Sequence, residues 1–310
     1  MRFTISARYA LVVCAAAAML SGCNSNSSTL APTSGSSPTS GGNIYVAGGG
    51  NDTVKEMLAP GYTTIKTLGS GFCDPQRIAV DGSGNVFVPD VCANEVKEIL
   101  AAGGYVTVKK LGSGFDAPVG VAVDSSDNVW VVDDNGFAHG VYEILAAGGY
   151  TKVKRFGSGF NHPGAIAVDG SDNVYVADSN NYEVKEMLAA SGYKTINTLG
   201  SGINDPTGIA VDGSSNVYVG SDTDGTIKEI VAPGYTTVNT LASGFDEPQG
   251  LAVDGSGNIY VAAVGNPVVT EILAVGGSIP PSPKMITLGS GFINPSGIAI
   301  EHAAVPNVEH

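Results

Sequence analysis

Two short apolar patterns alternate along the chain between residues 43 and 301. The first reads Ile-Ala-Val-Asp at 78–81, 166–169 and 209–212, with near copies at 121–124, 251–254 and 298–301. The second reads Asn-Val-Tyr-Val at 173–176 and 216–219, with variants at 43–46, 85–88, 128–131 and 258–261. Both are β-branched or aromatic runs too short for helices and bounded by turn residues, so each predicts a strand. Within one copy, Ile78 to Val80 predicts a short inner strand and Asp81-Gly-Ser-Gly84 a tight turn. That turn sets Val80 opposite Asn85. Val86-Phe-Val88 follows, apolar on both faces, as a strand covered on both sides would be. Glu95 to Leu100 alternates charge with hydrophobe and predicts a third strand further out. Gly103-Gly104 then turns into a fourth, Val106 to Leu111, at the rim.

A Gly-Ser-Gly-Phe-like element precedes a proline in every copy: Pro75, Pro118, Pro163, Pro206, Pro248 and Pro295. Successive prolines stand 43, 45, 43, 42 and 47 residues apart. This period fits a four-stranded propeller blade and exceeds a leucine-rich or ankyrin unit. The predicted fold is therefore all-β: a six-bladed β-propeller with four antiparallel strands per blade. The two ends complement each other, since the repeat region opens on a second strand, Asn43 to Val46, and closes on an inner strand, Gly297 to Ile300. The C-terminal strand is expected to complete the first blade and leave no open edge.

These motifs resemble the NHL repeat, whose copies read much like Pro-x-Gly-Ile-Ala-Val-Asp…Asn-Val-Tyr-Val-Ala-Asp-Ser…Asn. Pro163 to Asn181 matches nearly throughout, and the resemblance spans roughly residues 43–301. It implies the propeller fold. It does not choose an activity, because NHL-like propellers include binding domains of kinases and ligases, amidating lyases and antibiotic lyases.

The N-terminus carries an address. Arg2 and Arg8 make a basic region, and Ala10 to Leu20 is an apolar run too short to span a bilayer. It ends in Leu20-Ser21-Gly22-Cys23, which resembles the bacterial lipobox, with Cys23 the residue that takes the lipid. Asn24 to Gly42 is nearly all Ser, Thr, Asn, Gly and Pro, a flexible tether. The expected organisation is a signal peptide at 1–22, a lipidated cysteine and tether at 23–42, the propeller at 43–301 and a tail at 302–310. Expected location is the cell envelope, on the outer membrane or cell surface, held through the lipid anchor alone.

With 43 glycines and 16 prolines, composition agrees with an all-β chain of many turns. Once the signal with its two arginines is removed, 13 Lys plus Arg face 29 Asp plus Glu, a net charge of −16. Nucleic acid and anionic surfaces select basic proteins, so both are excluded as partners of the propeller surface. Cationic or neutral partners remain, namely an envelope protein, peptide or glycan, bound by a monomer.

The Asp-Gly-Ser-Gly-Asn turns mimic the start of a calcium loop, but no copy has the Glu that an EF-hand needs at position twelve. They are read as hairpins. Of four histidines, His302 and His310 fall in the tail, and His139 and His162 in blade loops, where each reads as a solvated side chain. No nucleophile elbow, zinc-type Cys or His pairing, or phosphate-cradling loop is present. No catalytic residue, cofactor or metal ligand is assigned, although a divalent cation would suit the acidic mouth. Cys73 and Cys92 sit on facing loops of one blade and are expected to form a disulfide in an oxidising compartment.

Turns between strands one and two, and between three and four, are nearly constant among the copies. Loops on the opposite side vary and mark the working face. The pre-proline residues Asp74, Ala117, His162, Asp205, Glu247 and Asn294 should ring one mouth of the central channel there. Asp74, His162, Asp205 and Glu247 are the ligand candidates, with Asp134 and His139 in the unusual 133–140 loop at the edge. Arg77 stands where other copies have Gly or Ala, and Asp74 is its expected partner. Two functions fit: a tethered non-catalytic binding propeller, or a metal-dependent lyase or lactonase at the channel mouth. A convergent set of three His or carboxylate groups would distinguish the second.

Overall fold

A computed structural model describes residues 41–134 and 139–301. Cys23, with the segments expected to be signal peptide and tether up to residue 40 and the tail from 302, lies outside the described residues. Twenty-four strands, β1 to β24 in chain order, form six antiparallel sheets of four. Among the described residues there is no α-helix, and none long and apolar enough to cross a membrane.

One blade shows why the sequence folds this way. Its strands are β12 (Pro163–Val168), β13 (Val174–Asp178), β14 (Glu183–Met187) and β15 (Ile196–Leu199). The second strand is buried throughout because neighbouring blades cover both its faces, which is what its unbroken apolar run requires. The third alternates, with Val184 buried between the partly exposed Glu183 and Lys185. There is no single core. Six apolar clusters form instead, each between two adjacent blades, such as Trp130, Val132 and Val141 against Phe160, Val174 and Met187.

The turns between first and second strands consume their own polar groups. Asp169 Oδ1 accepts from the Ser171 and Asn173 backbone, and its Oδ2 accepts from Asn173 Nδ2. Asn173 Oδ1 in turn accepts from Ala189 N at 3.1 Å, tying this turn to the one between strands three and four. Asp81, Asp124, Asp212 and Asp254 repeat the arrangement. Their carboxylates serve the hairpin rather than calcium.

Closure follows the complementary ends. β24 (Pro295–Ile300) pairs antiparallel with β1 (Ile44–Gly48), setting Tyr45 opposite Ala299 and Val46 opposite Ile298. The first blade is thus built from both ends of the propeller.

Two expectations are corrected. Inner strands are not short: five of the six begin at the proline and run for six residues. Proline suits the first residue of a strand, where its missing N–H costs nothing. Only β4 (Ala79–Val80) is brief, because Arg77 turns aside to pair in parallel with Gly120 of the next blade. The hairpin register also differs. Val80 faces Val86 and not Asn85, because Asp81 N already donates to Asn85 O to close the turn. An irregularity just after the proline then shifts the register, so that Pro75 faces Asp90. The shift brings Cys73 opposite Cys92, and the two are joined by a disulfide with their Cα atoms 5.5 Å apart.

Candidate functional site

The variable loops share one backbone device. All six residues before the repeat prolines, Asp74, Ala117, His162, Asp205, Glu247 and Asn294, adopt the left-handed conformation, with φ between 46° and 85°. That region suits Asn and Asp, admits His, and strains Ala and Glu. Each carbonyl accepts a backbone N–H from the loop leaving the second strand: Val91 to Asp74, Asp134 to Ala117, Ser179 to His162, Asp222 to Asp205, Val264 to Glu247 and Gly49 to Asn294. Two rings of residues, one before the prolines and one leaving the second strands, are thereby tied together blade by blade. Only the first was legible in the sequence.

Below the rings the inner strands crowd the axis. A Cβ on Gly297 would come within 2.4 Å of the Gln76 carbonyl, so this position demands glycine. Arg77 escapes because its strand leaves the common register. Its side chain crosses the channel, and Nε donates to the Thr207 carbonyl of the diametrically opposite blade at 2.9 Å. Burial lowers the Arg77 guanidinium to about 10, while Asp222, Asp134 and Asp74 oppose the shift, so it stays charged at neutral pH. The expected pairing with Asp74 is therefore corrected: the Asp74 carboxylate takes a hydrogen bond from Gln76 Nε2 at 2.6 Å. On the turn side of Arg77 lies a lumen of about 170 Å³, lined by inner-strand residues such as Val80, Val123 and Val211.

The ligand candidates do not gather at one point. Asp205 and Glu247 flank Asp222, whose carboxyl is raised to about 6 by burial and then by the charges of Glu247 and Asp205. Asp222 Oδ1 is buried without a hydrogen-bond partner. Asp74 instead borders a polar cleft of about 240 Å³ with Gln76, Gln249, Asn294 and Ser296. Across the mouth, Asp134, His139 and His162 converge, and the two imidazole rings lie 4.5 Å apart between centroids. The histidines are not isolated solvated side chains, as the sequence reading had them: His139 is 13% exposed, with Nδ1 3.1 Å from Asp134 Oδ1. Asp222 escaped that reading altogether. Its only signal is an acid directly after a second strand, a position where one other copy has Asp134 and the rest carry Gly, Val or Ser.

Residues 160–186 match the NHL repeat. No curated protein matches the chain. Solved structures share its fold: the nidogen/laminin complex is similar at TM-score 0.69 and 16% identity, over 84% of this chain and 99% of that one. A streptogramin B lyase is similar at TM-score 0.61 and 12% identity, over 83% of each chain. The virginiamycin B lyase of Staphylococcus aureus is similar at TM-score 0.60 and 13% identity, over 84% of this chain and 88% of that one. These likenesses concern architecture alone.

Proposed function

We propose that this is an exported propeller, lipid-anchored at Cys23, that binds rather than catalyses and offers its channel mouth to a cationic group of an envelope protein, peptide or glycan. The observation that carries the reading is the crowding of like charge around Asp222. Burial and the neighbouring Asp205 and Glu247 hold its carboxyl up to about 6, with one oxygen unpaired. A cation seated there would relieve the repulsion and supply the missing partner. One structure of this fold is a complex of two proteins, nidogen and laminin.

Titration of a fluorescent oligolysine peptide into the mature chain tests the reading. Replacing Asp205 by Asn and Glu247 by Gln should weaken binding at least about tenfold at low salt, the loss expected for two charge contacts. Equal affinity in both proteins would show that the mouth is not the binding surface. The second reading, a metal-dependent lyase or lactonase, draws support from the convergence of Asp134, His139 and His162 and from the two lyases that share the fold.

A further inference from the structure

We propose that Asp134, His139 and His162 form a site for one divalent transition-metal ion of the zinc class, at the side of the mouth where the third and fourth blades meet. The site goes beyond the binding reading and does not depend on what docks at the mouth. Three separate backbone positions supply it: Asp134 follows β9 (Val129–Asp133), His139 precedes β10 (Gly140–Leu145), and His162 precedes β12. Among the described residues this is the only set of three His, Cys, Asp or Glu side chains with ligand atoms all within 4.8 Å of one another.

Hydrogen bonding does not account for the convergence. Asp134 Oδ1 lies 3.1 Å from His139 Nδ1 and 3.0 Å from His162 Nδ1. Yet Asp134 Oδ1 and His139 Nδ1 are both buried from solvent and have no hydrogen-bond partner. Only His162 Nδ1 and Asp134 Oδ2, at 3.2 Å, are aligned as a hydrogen bond. A carboxylate that merely accepted two imidazole N–H groups would align with both. One cation among the three atoms would satisfy all of them at once.

The spacing fits. A tetrahedral zinc ion with bonds near 2.0–2.1 Å holds its ligand atoms about 3.3 Å apart, so these contacts need open only slightly. Two imidazole nitrogens and one carboxylate oxygen select zinc and its neighbours over calcium or magnesium, which take all-oxygen sets. The surrounding field is mixed. Arg77 interacts with Asp134, whereas Asp74, Asp205 and Glu247 make the mouth negative. The His162 side chain is 46% exposed, so a fourth coordination position would open toward the mouth.

The experiment is zinc competition between a chromophoric chelator and the metal-stripped mature chain. Expected is one equivalent taken up, weakened at least about tenfold by each of Asp134→Asn, His139→Gln and His162→Gln. Removing the tail histidines, His302→Gln with His310→Gln, should leave that equivalent in place. Cobalt loading of the native chain should give the visible absorption of a low-coordinate nitrogen–oxygen site, and zinc should raise its unfolding temperature with concentration. Both readouts use the native protein, so they hold even where a variant fails to fold. No uptake, uptake retained by the triple variant, or native protein without cobalt absorption or zinc-dependent stabilisation would each overturn the site.

Discussion

At Asp222 a single carboxyl group reports the condition of the whole mouth. Its folded pKa rises from 3.8 to about 6, through burial first and the charges of Glu247 and Asp205 next. A raised acid favours the folded state while neutral, so its contribution is complete below about pH 4 and lost as pH climbs through about 6. Partial exposure screens the effect, leaving about 1 kcal/mol. Asp222→Asn should therefore flatten the stability profile between those limits and be the more stable protein at pH 7. Urea midpoints measured at pH 4.5 and 7 check this, and parallel profiles for both proteins would refute it. The residue pattern singled out Asp205 and Glu247 but not Asp222, because their interaction depends on two loops from adjacent blades closing on one point. Asp134, His139 and His162 were each candidates, but their convergence was hidden for the same reason: 28 residues separate the first from the last, and only the angle between two blades brings them together.

At the scale of the strand and its loops, hydrophobic pattern carried most of the fold. Second strands were legible because burial on both faces leaves an unbroken apolar run, and third strands because one face stays wet. The fourth was overextended. Val106 is 77% exposed and the strand begins only at Val108, since nothing outside the rim rewards longer pairing. Register was misjudged by one residue at the turn, because a backbone bond from Asp81 to Asn85 is invisible in residue types. The irregularity after Pro75 cancels the error, and the cysteine pairing survives it. That disulfide closes a loop between positions 19 apart and ties the two mouth loops of its blade. Replacing both cysteines by Ser should lower stability by about 3 kcal/mol through the freed unfolded chain. Denaturant midpoints that do not move would show the loops are held by their backbone contacts alone.

For the whole molecule, closure decides whether there is a folded protein at all. β24 buries Ile298 and Ile300 and covers one edge of β1. A chain ending at Pro295 would leave β1 with an unpaired edge and apolar faces open on either side. It should aggregate or lose cooperative unfolding, whereas deletion of 306–310 alone should be silent. A stable, monomeric, cooperatively unfolding chain ending at Pro295 would show that the last strand is dispensable.

The same join gives the propeller a handle. Glu301 N donates to Asn43 O at 2.9 Å, and Asn43 holds in its blade the place Asn85 holds in the next, on the face of the constant turns. The chain therefore enters and leaves the propeller together, on the side away from Asp222, Arg77 and His162. An attachment made at residue 43 or 301 meets the propeller on the face opposite the mouth.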